Sequence, residues 1–241
     1  MSTAEIHYKT HLGPVYSWML GDLDAAFARA AAEIDDLPSP ATRGVAVDLG
    51  AGLGLHALSL AKRGFQVVAI DTCRMLLDEL CSRRGSLAIT THHADLLEFR
   101  AFATLPQVIV CMGDTLTHLP ALPAVDSLLS AAAASLPSGG VFAATFRDYA
   151  TRELKGEQRF ILVRADDSRI LTCFLEYLDH QVIVHDLLHE NVDGQWRQSI
   201  SSYPKLRLAP EWVASRLSEL GCSVNRDAAA GGMARIVAIK N

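Results

Sequence analysis

The sequence predicts an α/β fold: a mostly parallel sheet with helices on both faces and an antiparallel β insertion late in the chain. Two observations carry this. Between residues 44 and 149, runs rich in Val, Ile and Ala alternate with helical stretches. Strands apolar on both faces and separated by helices belong to a parallel sheet covered on both sides. From 157 to 208 the texture changes to alternating apolar and polar residues broken by turn sequences, the pattern of antiparallel hairpins. A chain of 241 residues is long enough for one such domain with a sizeable insertion.

The first 43 residues read as an N-terminal helical cap on a domain that fills 44–241. Within the cap, "DLDAAFARAAAEIDDL" sets Leu23, Phe27, Ala30, Ile34 and Leu37 at helical spacing, and "LPSPATRG" breaks the helix. The preceding "HLGPVYSWMLG" is shorter and aromatic. Tyr8, Tyr16 and Trp18 either roof a ligand or pack into the core.

The strand runs are "GVAVDLG", "QVVAID", "LAITTHHAD", "QVIVCMG" and "GVFAATF", with helices expected at 55–63, 73–84 and 124–136 and a short connector at 97–104. Right-handed crossovers bring the C-terminal ends of these strands to one edge, where ligands bind. In the insertion, 157–208, "ADDS", "LDH" and "VDGQ" mark the turns. A helix at 209–220 and strands near 222–228 and 233–240 end the chain.

Composition removes several function classes. The net charge is −5, without a Lys/Arg cluster, so a nucleic-acid partner is not expected. Five scattered cysteines without a CxxC pair suit reduced thiols in a cytoplasmic protein, and no zinc or other metal site is expected. His185 and His189 fall four apart within the meander, where strand geometry does not converge them on a metal. No apolar run reaches a membrane span, and the polar N-terminus is not a signal peptide.

The chemistry concentrates in "VDLGAGLG", where Gly50, Gly52 and Gly54 follow a strand and enclose Ala51. Glycines here permit positive φ and close approach of backbone to ligand. A dinucleotide fingerprint would need glycine at position 55, which is Leu55. Asp48, just ahead of the turn, is unfavourable beside a pyrophosphate and favourable beside an ammonium group. Asp71, followed by Thr72, closes the second strand and suits two ribose hydroxyls. S-adenosylmethionine carries an ammonium, a sulfonium and a ribose but no phosphate, so the turn favours it over NAD. The alternative for each acid is to cap the helix that follows.

The series "VDLGAGLGLHALSLAKRG", "VVAID", "HHADLLEF" and "VIVCMGDTLTHL" resembles the ordered motifs of class I S-adenosylmethionine-dependent methyltransferases across residues 44–149. The resemblance implies a Rossmann-like seven-stranded sheet whose last strand is antiparallel. It implies that Asp48 and the Gly50–Gly54 turn approach the methionine moiety, that Asp71 holds the ribose, and that Asp95 and Leu96 border the adenine. Cys111, Met112 and Gly113 would line the cleft. "CMGDTLTHL" and "FRDY" further resemble stretches of glycine N-methyltransferases and related amino-acid N-methyltransferases.

That nearer resemblance makes His118 and Arg147 matching residues and puts Asp114 in the place of an asparagine. Arg147 would then grip a substrate carboxylate, Tyr149 and Tyr16 would wall the site, and Asp114 or His118 would polarise the acceptor. An acid at 114 favours a cationic or hydroxyl-bearing acceptor. The competing readings are a surface ion pair for Arg147 and a satisfied loop histidine for His118. The expected activity is methyl transfer to an amine or hydroxyl of a small, carboxylate-bearing metabolite. The alternatives are a non-catalytic S-adenosylmethionine sensor or interaction protein and, further off, an NAD-dependent oxidoreductase. An exposed edge of the insertion would allow a homodimer.

Overall fold

The computed structural model describes residues 3–40 and 44–241. Its main sheet has seven strands in the order β10-β11-β5-β4-β1-β2-β3: β1 (Val45–Leu49), β2 (Gln66–Asp71), β3 (Ile89–His93), β4 (Val108–Cys111), β5 (Val141–Phe146), β10 (Cys222–Ala228) and β11 (Ala234–Lys240). The first five pair in parallel, while β11 runs antiparallel to both β5 and β10. All residues of β4 and β5 are buried, as expected of strands covered on both faces.

Five helices supply the cover. On one face, α6 (Leu122–Ser135) and α7 (Pro210–Glu219) pack with Val47, Ile109 and Phe142. The stripe Val125, Leu128, Leu129, Ala132 and Ala133 is the i, i+3, i+4, i+7 face that an amphipathic helix must bury. On the other face lie α3 (Leu23–Glu33), α4 (Leu55–Lys62) and α5 (Arg74–Arg83); Leu58, Leu60, Leu77 and Leu80 enclose Val67 and Val110 there. Asp22 caps α3 by accepting the Ala25 N–H at 3.1 Å, and the chain after α3 adds Ile34 and Leu37 to the same core.

The insertion is a separate antiparallel sheet, β6 (Phe160–Ala165), β7 (Arg169–Tyr177), β8 (Gln181–Val192) and β9 (Gln195–Leu206), paired in that order. Its β8–β9 turn is the "DG" of the sequence: Asp193 and Gly194 both have positive φ, 52° and 79°, as a two-residue hairpin loop of this hand requires. Along β8, Val182, Val184, Asp186 and Leu188 are buried and alternate with half-exposed neighbours.

The N-terminal segment is less regular than one helix. Helix α1 (Thr3–His7) continues into a π-helical turn, Tyr8–Leu12, and a 3₁₀ turn, Gly13–Val15, before α2 (Tyr16–Leu20). Pro14 has no N–H to continue an α-helical ladder. Leu12 and Val15 pack with Leu171 and Leu188 of the insertion, and Tyr8 and Tyr16 reach Leu53, Cys73 and Leu76 beside the main sheet. The segment is thus wedged between sheet and insertion. The expected cap boundary falls on residues 41–43, outside the described residues.

Among the described residues no cysteine is bridged, no cluster of ligands suits a metal, and no helix is long and apolar enough to cross a membrane.

Candidate active site

A cavity of about 380 Å³ opens at the C-terminal edge of the parallel strands. The strand order reverses between β1 and β4, the crevice where open α/β sheets bind ligands. One half of its wall comes from the sheet edge: Gly50, Gly52, Asp71, Asp95 and Met112. The other comes from the N-terminal segment (Tyr8, Tyr16), the turn after β4 (His118) and the insertion (Lys205).

The glycine turn is held from beneath. The Gly50 and Ala51 N–H groups donate to Ile70 O at 2.9 and 3.0 Å. Gly50 has φ +76°, and a Cβ there would sit 2.5 Å from Thr115 side-chain atoms; a side chain would be strained and would collide. Gly54 is packed differently: with φ +93° it caps α4, and a Cβ would drive into Leu80. Gly54 therefore serves the packing of α4 on α5 and does not wall the cavity.

Asp71 is the joint between turn and sheet. Its Oδ2 accepts the Gly52 N–H and its Oδ1 the Cys73 N–H, both at 2.7 Å. Burial raises its pKa, against the pull of those N–H donors. Each carboxylate oxygen retains a further lone pair at the cavity wall. Asp48 lies deeper and does not line the cavity; it is buried, its Oδ2 has no hydrogen-bond partner, and burial pushes its pKa up to about 6. Asp95 caps the 3₁₀ turn Leu96–Ala101 by accepting the Leu97 N–H at 2.9 Å, and it borders the cavity with Leu96 and Thr72. Met112 and Gly113 line it, whereas Cys111 is buried in the core beneath. Burial, with Asp48 nearby, pushes the Cys111 thiol far up, so it stays protonated.

Asp114 follows β4 with φ +78°, a conformation that Asp adopts more readily than most side chains. The Asp114 N–H donates to Thr145 O at 2.9 Å. Its carboxylate is fully engaged, accepting from the Arg147 N–H at 2.9 Å, Thr117 Oγ1 at 3.0 Å and Lys205 Nζ at 2.5 Å. Burial works to raise its pKa, but Lys205 and the Arg147 N–H outweigh burial and hold it below the ordinary carboxylate value. The cation that an acid at this position favours is thus supplied by the protein itself. Tyr149 closes the same cluster with its hydroxyl 3.5 Å from Asp114 Oδ2. Arg147 stands 3.9 Å from that oxygen, its side chain half exposed. Asp114, Arg147 and Tyr149 back the cavity without lining it.

His118 does line it. Its ring stacks on Tyr203, centroids 5.4 Å apart, and meets Tyr8 edge-on at 5.6 Å. Its Nδ1 is buried without a hydrogen-bond partner. Burial and then Lys205 lower its pKa to about 3, so the imidazole is neutral at physiological pH with a lone pair to offer.

Sequence reasoning passed over Lys205, His56 and Gln181, all of which line the cavity. For Lys205 a signal existed: Tyr203 and Lys205 share the inward face of β9, opposite Val184 and Val182, so a charged residue stood in a row of buried ones. His56 pairs with Glu33 at 2.9 Å; nothing in its local sequence distinguishes it.

The residues present fit a cationic nucleoside rather than a diphosphate. Asp71 and Asp95 line the sheet half of the cavity, with Asp48 behind the turn and no Lys or Arg among the described residues of that half. A diphosphate would meet repulsion there, and the partnerless Asp48 oxygen calls for a donor or a positive charge.

Residues 46–140 match the family profile described as a methyltransferase domain. No curated protein matches the chain. Among solved structures, the CcbJ methyltransferase from Streptomyces caelestis superposes with TM-score 0.78 at 17% identity, over 97% of each chain. CalS10, an amino pentose methyltransferase from Micromonospora echinaspora solved with S-adenosylmethionine bound, gives 0.73 at 16% identity, over 96% of this chain and 97% of that one. The sugar N-methyltransferase KedS8 from a Streptoalloteichus species gives 0.71 at 13% identity, over 90% and 86%. The likeness to these three is one of fold, and the insertion falls within the aligned length. Residues 46–140 thus match a methyltransferase-domain profile, within a chain whose fold is that of solved methyltransferases.

Proposed function

We propose that this protein transfers the methyl group of S-adenosylmethionine to an amine of a small, carboxylate-bearing metabolite, with a hydroxyl as the alternative nucleophile. The observation that carries the reading is one cavity with two unlike halves. Asp71, Asp95 and the glycine turn form the first, and His118 and Lys205 stand in the second.

When bound, S-adenosylmethionine supplies an electrophilic methyl group on a cationic sulfur. Asp71 receives the ribose hydroxyls on lone pairs left free by its two backbone donors. The Gly50–Gly52 backbone lies under the methionine end, with the Asp48 charge behind it. Asp95 and Leu96 border the adenine, and Met112 and Gly113 form the floor. Tyr8 and Tyr16, from the N-terminal segment, close the roof and exclude water, which strengthens the electrostatics within.

On the acceptor side, His118 stands in the cavity wall as a neutral ring that helps to orient the acceptor. An amine must lose its ammonium proton before it attacks; an imidazole held at about 3 is too weak a base to take that proton, so the proton leaves to water and the amine binds in its neutral form. The amine preference draws support from the neighbours of like fold, two of which are described as amino-pentose and sugar N-methyltransferases. The carboxylate preference follows the stretches that resemble amino-acid N-methyltransferases.

Isothermal titration tests the donor: S-adenosylmethionine and S-adenosylhomocysteine are expected to bind and NAD to remain silent. Tighter binding of NAD would overturn the reading. A methyl-transfer screen over small amines and phenols, with and without a carboxylate, then tests the acceptor class.

A further inference from the structure

Lys205 is the sole Lys or Arg among the described residues that wall the cavity. It projects from β9 with a side chain 9% exposed, and among the described residues it makes one hydrogen bond, to Asp114 Oδ2 at 2.5 Å. An ammonium carries three N–H donors. The other sides of this one face the rings of Tyr149 and Tyr203, with Nζ 5.9 and 5.7 Å from their centres. Ring faces attract a cation but do not satisfy its N–H groups as an oxygen does. A buried cation at a cavity wall, with donors to spare and an aromatic setting, is arranged to receive a ligand's anionic oxygen.

We propose that Lys205 is the acceptor anchor and specificity residue: it binds the carboxylate, or an equivalent anionic oxygen, of the molecule to be methylated. The inference rests on reading the cavity as a methyl-transfer site, and it names what sets substrate class there. Asp114 is then the positioning partner that holds the ammonium, and Arg147, outside the wall, is not the anchor. His118 and Lys205 both lie against the Tyr203 ring, at 5.4 and 5.7 Å, so one small molecule can meet both. The same cation opposes an acceptor with a second positive group at that end.

The test uses matched probes: short aliphatic and aromatic amino carboxylates, each beside its carboxamide. Each is titrated calorimetrically into the full-length protein at neutral pH, alone and saturated with S-adenosylhomocysteine. In the wild type at least one carboxylate is expected to bind about tenfold or more tightly than its carboxamide, as a charge-assisted hydrogen bond provides. The double variant Asp114→Asn/Lys205→Met, which removes both charges together, is expected to lose that preference. Lys205→Arg, which keeps a cation, is expected to retain much of it. If no carboxylate outranks its carboxamide in the wild type, or if the preference survives in the double variant, Lys205 is only a strut between β9 and the loop after β4. The wild-type comparison decides even if a variant fails to fold. A failure of S-adenosylhomocysteine to bind would instead overturn the donor reading, while the titrations without it still report on Lys205.

Discussion

His118, whose Nδ1 is buried, and the buried Asp48 are groups whose protonation pulls stability in opposite directions, and replacing either one unmasks the other. In the folded protein His118 titrates at about 3 instead of 6.5. Its contribution is complete above pH 6.5 and is lost as the pH falls, because below 6.5 only the unfolded chain takes up the proton. Asp48 titrates at about 6 instead of 3.8. Its burial penalty is full above pH 6 and fades on acidification, because the folded state binds the proton first. At about 1.4 kcal/mol per pH unit, taking the protein from pH 7.5 to 4.5 costs about 2.7 kcal/mol through His118 and returns about 2 kcal/mol through Asp48. The two nearly cancel in the wild type.

His118→Gln is therefore expected to gain about 2.7 kcal/mol relative to wild type over that interval, and Asp48→Asn to lose about 2 kcal/mol relative to wild type. Urea unfolding at pH 7.5, 5.5 and 4.5 measures both. At pH 5.5 the His118→Gln gain should already be about 1.4 kcal/mol. Offsets that do not change with pH would refute the assignment, since a variant that merely alters packing shifts stability equally at all three values.

Asp71→Asn should weaken S-adenosylmethionine binding at least tenfold by calorimetry while the protein stays folded; unchanged affinity would remove the ribose role. Gly54→Ala should destabilise by about 2 kcal/mol or more, from an unfavourable φ and overpacking against Leu80. Much of that loss should return with Leu80→Val, and thermal melts of the pair read it. Arg147→Ala should leave both the donor Kd and the acceptor KM within about threefold, as its half-exposed guanidinium is outside the cavity. His7→Ala removes a hydrogen bond to Ser201 at 2.8 Å and a 3.1 Å approach to Asp186, and should raise hydrogen exchange across residues 3–20 with little change in the main sheet.

The sheet half of the site was legible because its determinants are local. Gly50, Gly52 and Asp95 each come just after a strand whose apolar run marks it and Asp71 ends one, and parallel topology alone brings those strand ends to one edge. The insertion was legible by alternation and by the "DG" turn. The N-terminal segment was legible only in its apolar content: its π-helical and 3₁₀ turns answer to contacts with Leu171, Leu188 and Leu76, which no local pattern encodes. The acceptor half failed for the same reason. Lys205 and Asp114 are 91 positions apart, and His7 reaches Ser201 across 194.

This distance accounts for the one chemical inference that the fold redirected. Read locally, an aspartate in place of asparagine after β4 speaks of a cationic acceptor. In three dimensions Lys205 needs that negative charge, because a buried ammonium facing an amide would lie several kcal/mol higher. The acid at 114 and the lysine at 205 are consequently one unit. Together they form a net-neutral pair with its ammonium on the cavity wall and its carboxylate behind. An asparagine-to-aspartate difference within such a loop thus says little about substrate until the residue facing it across the fold is known.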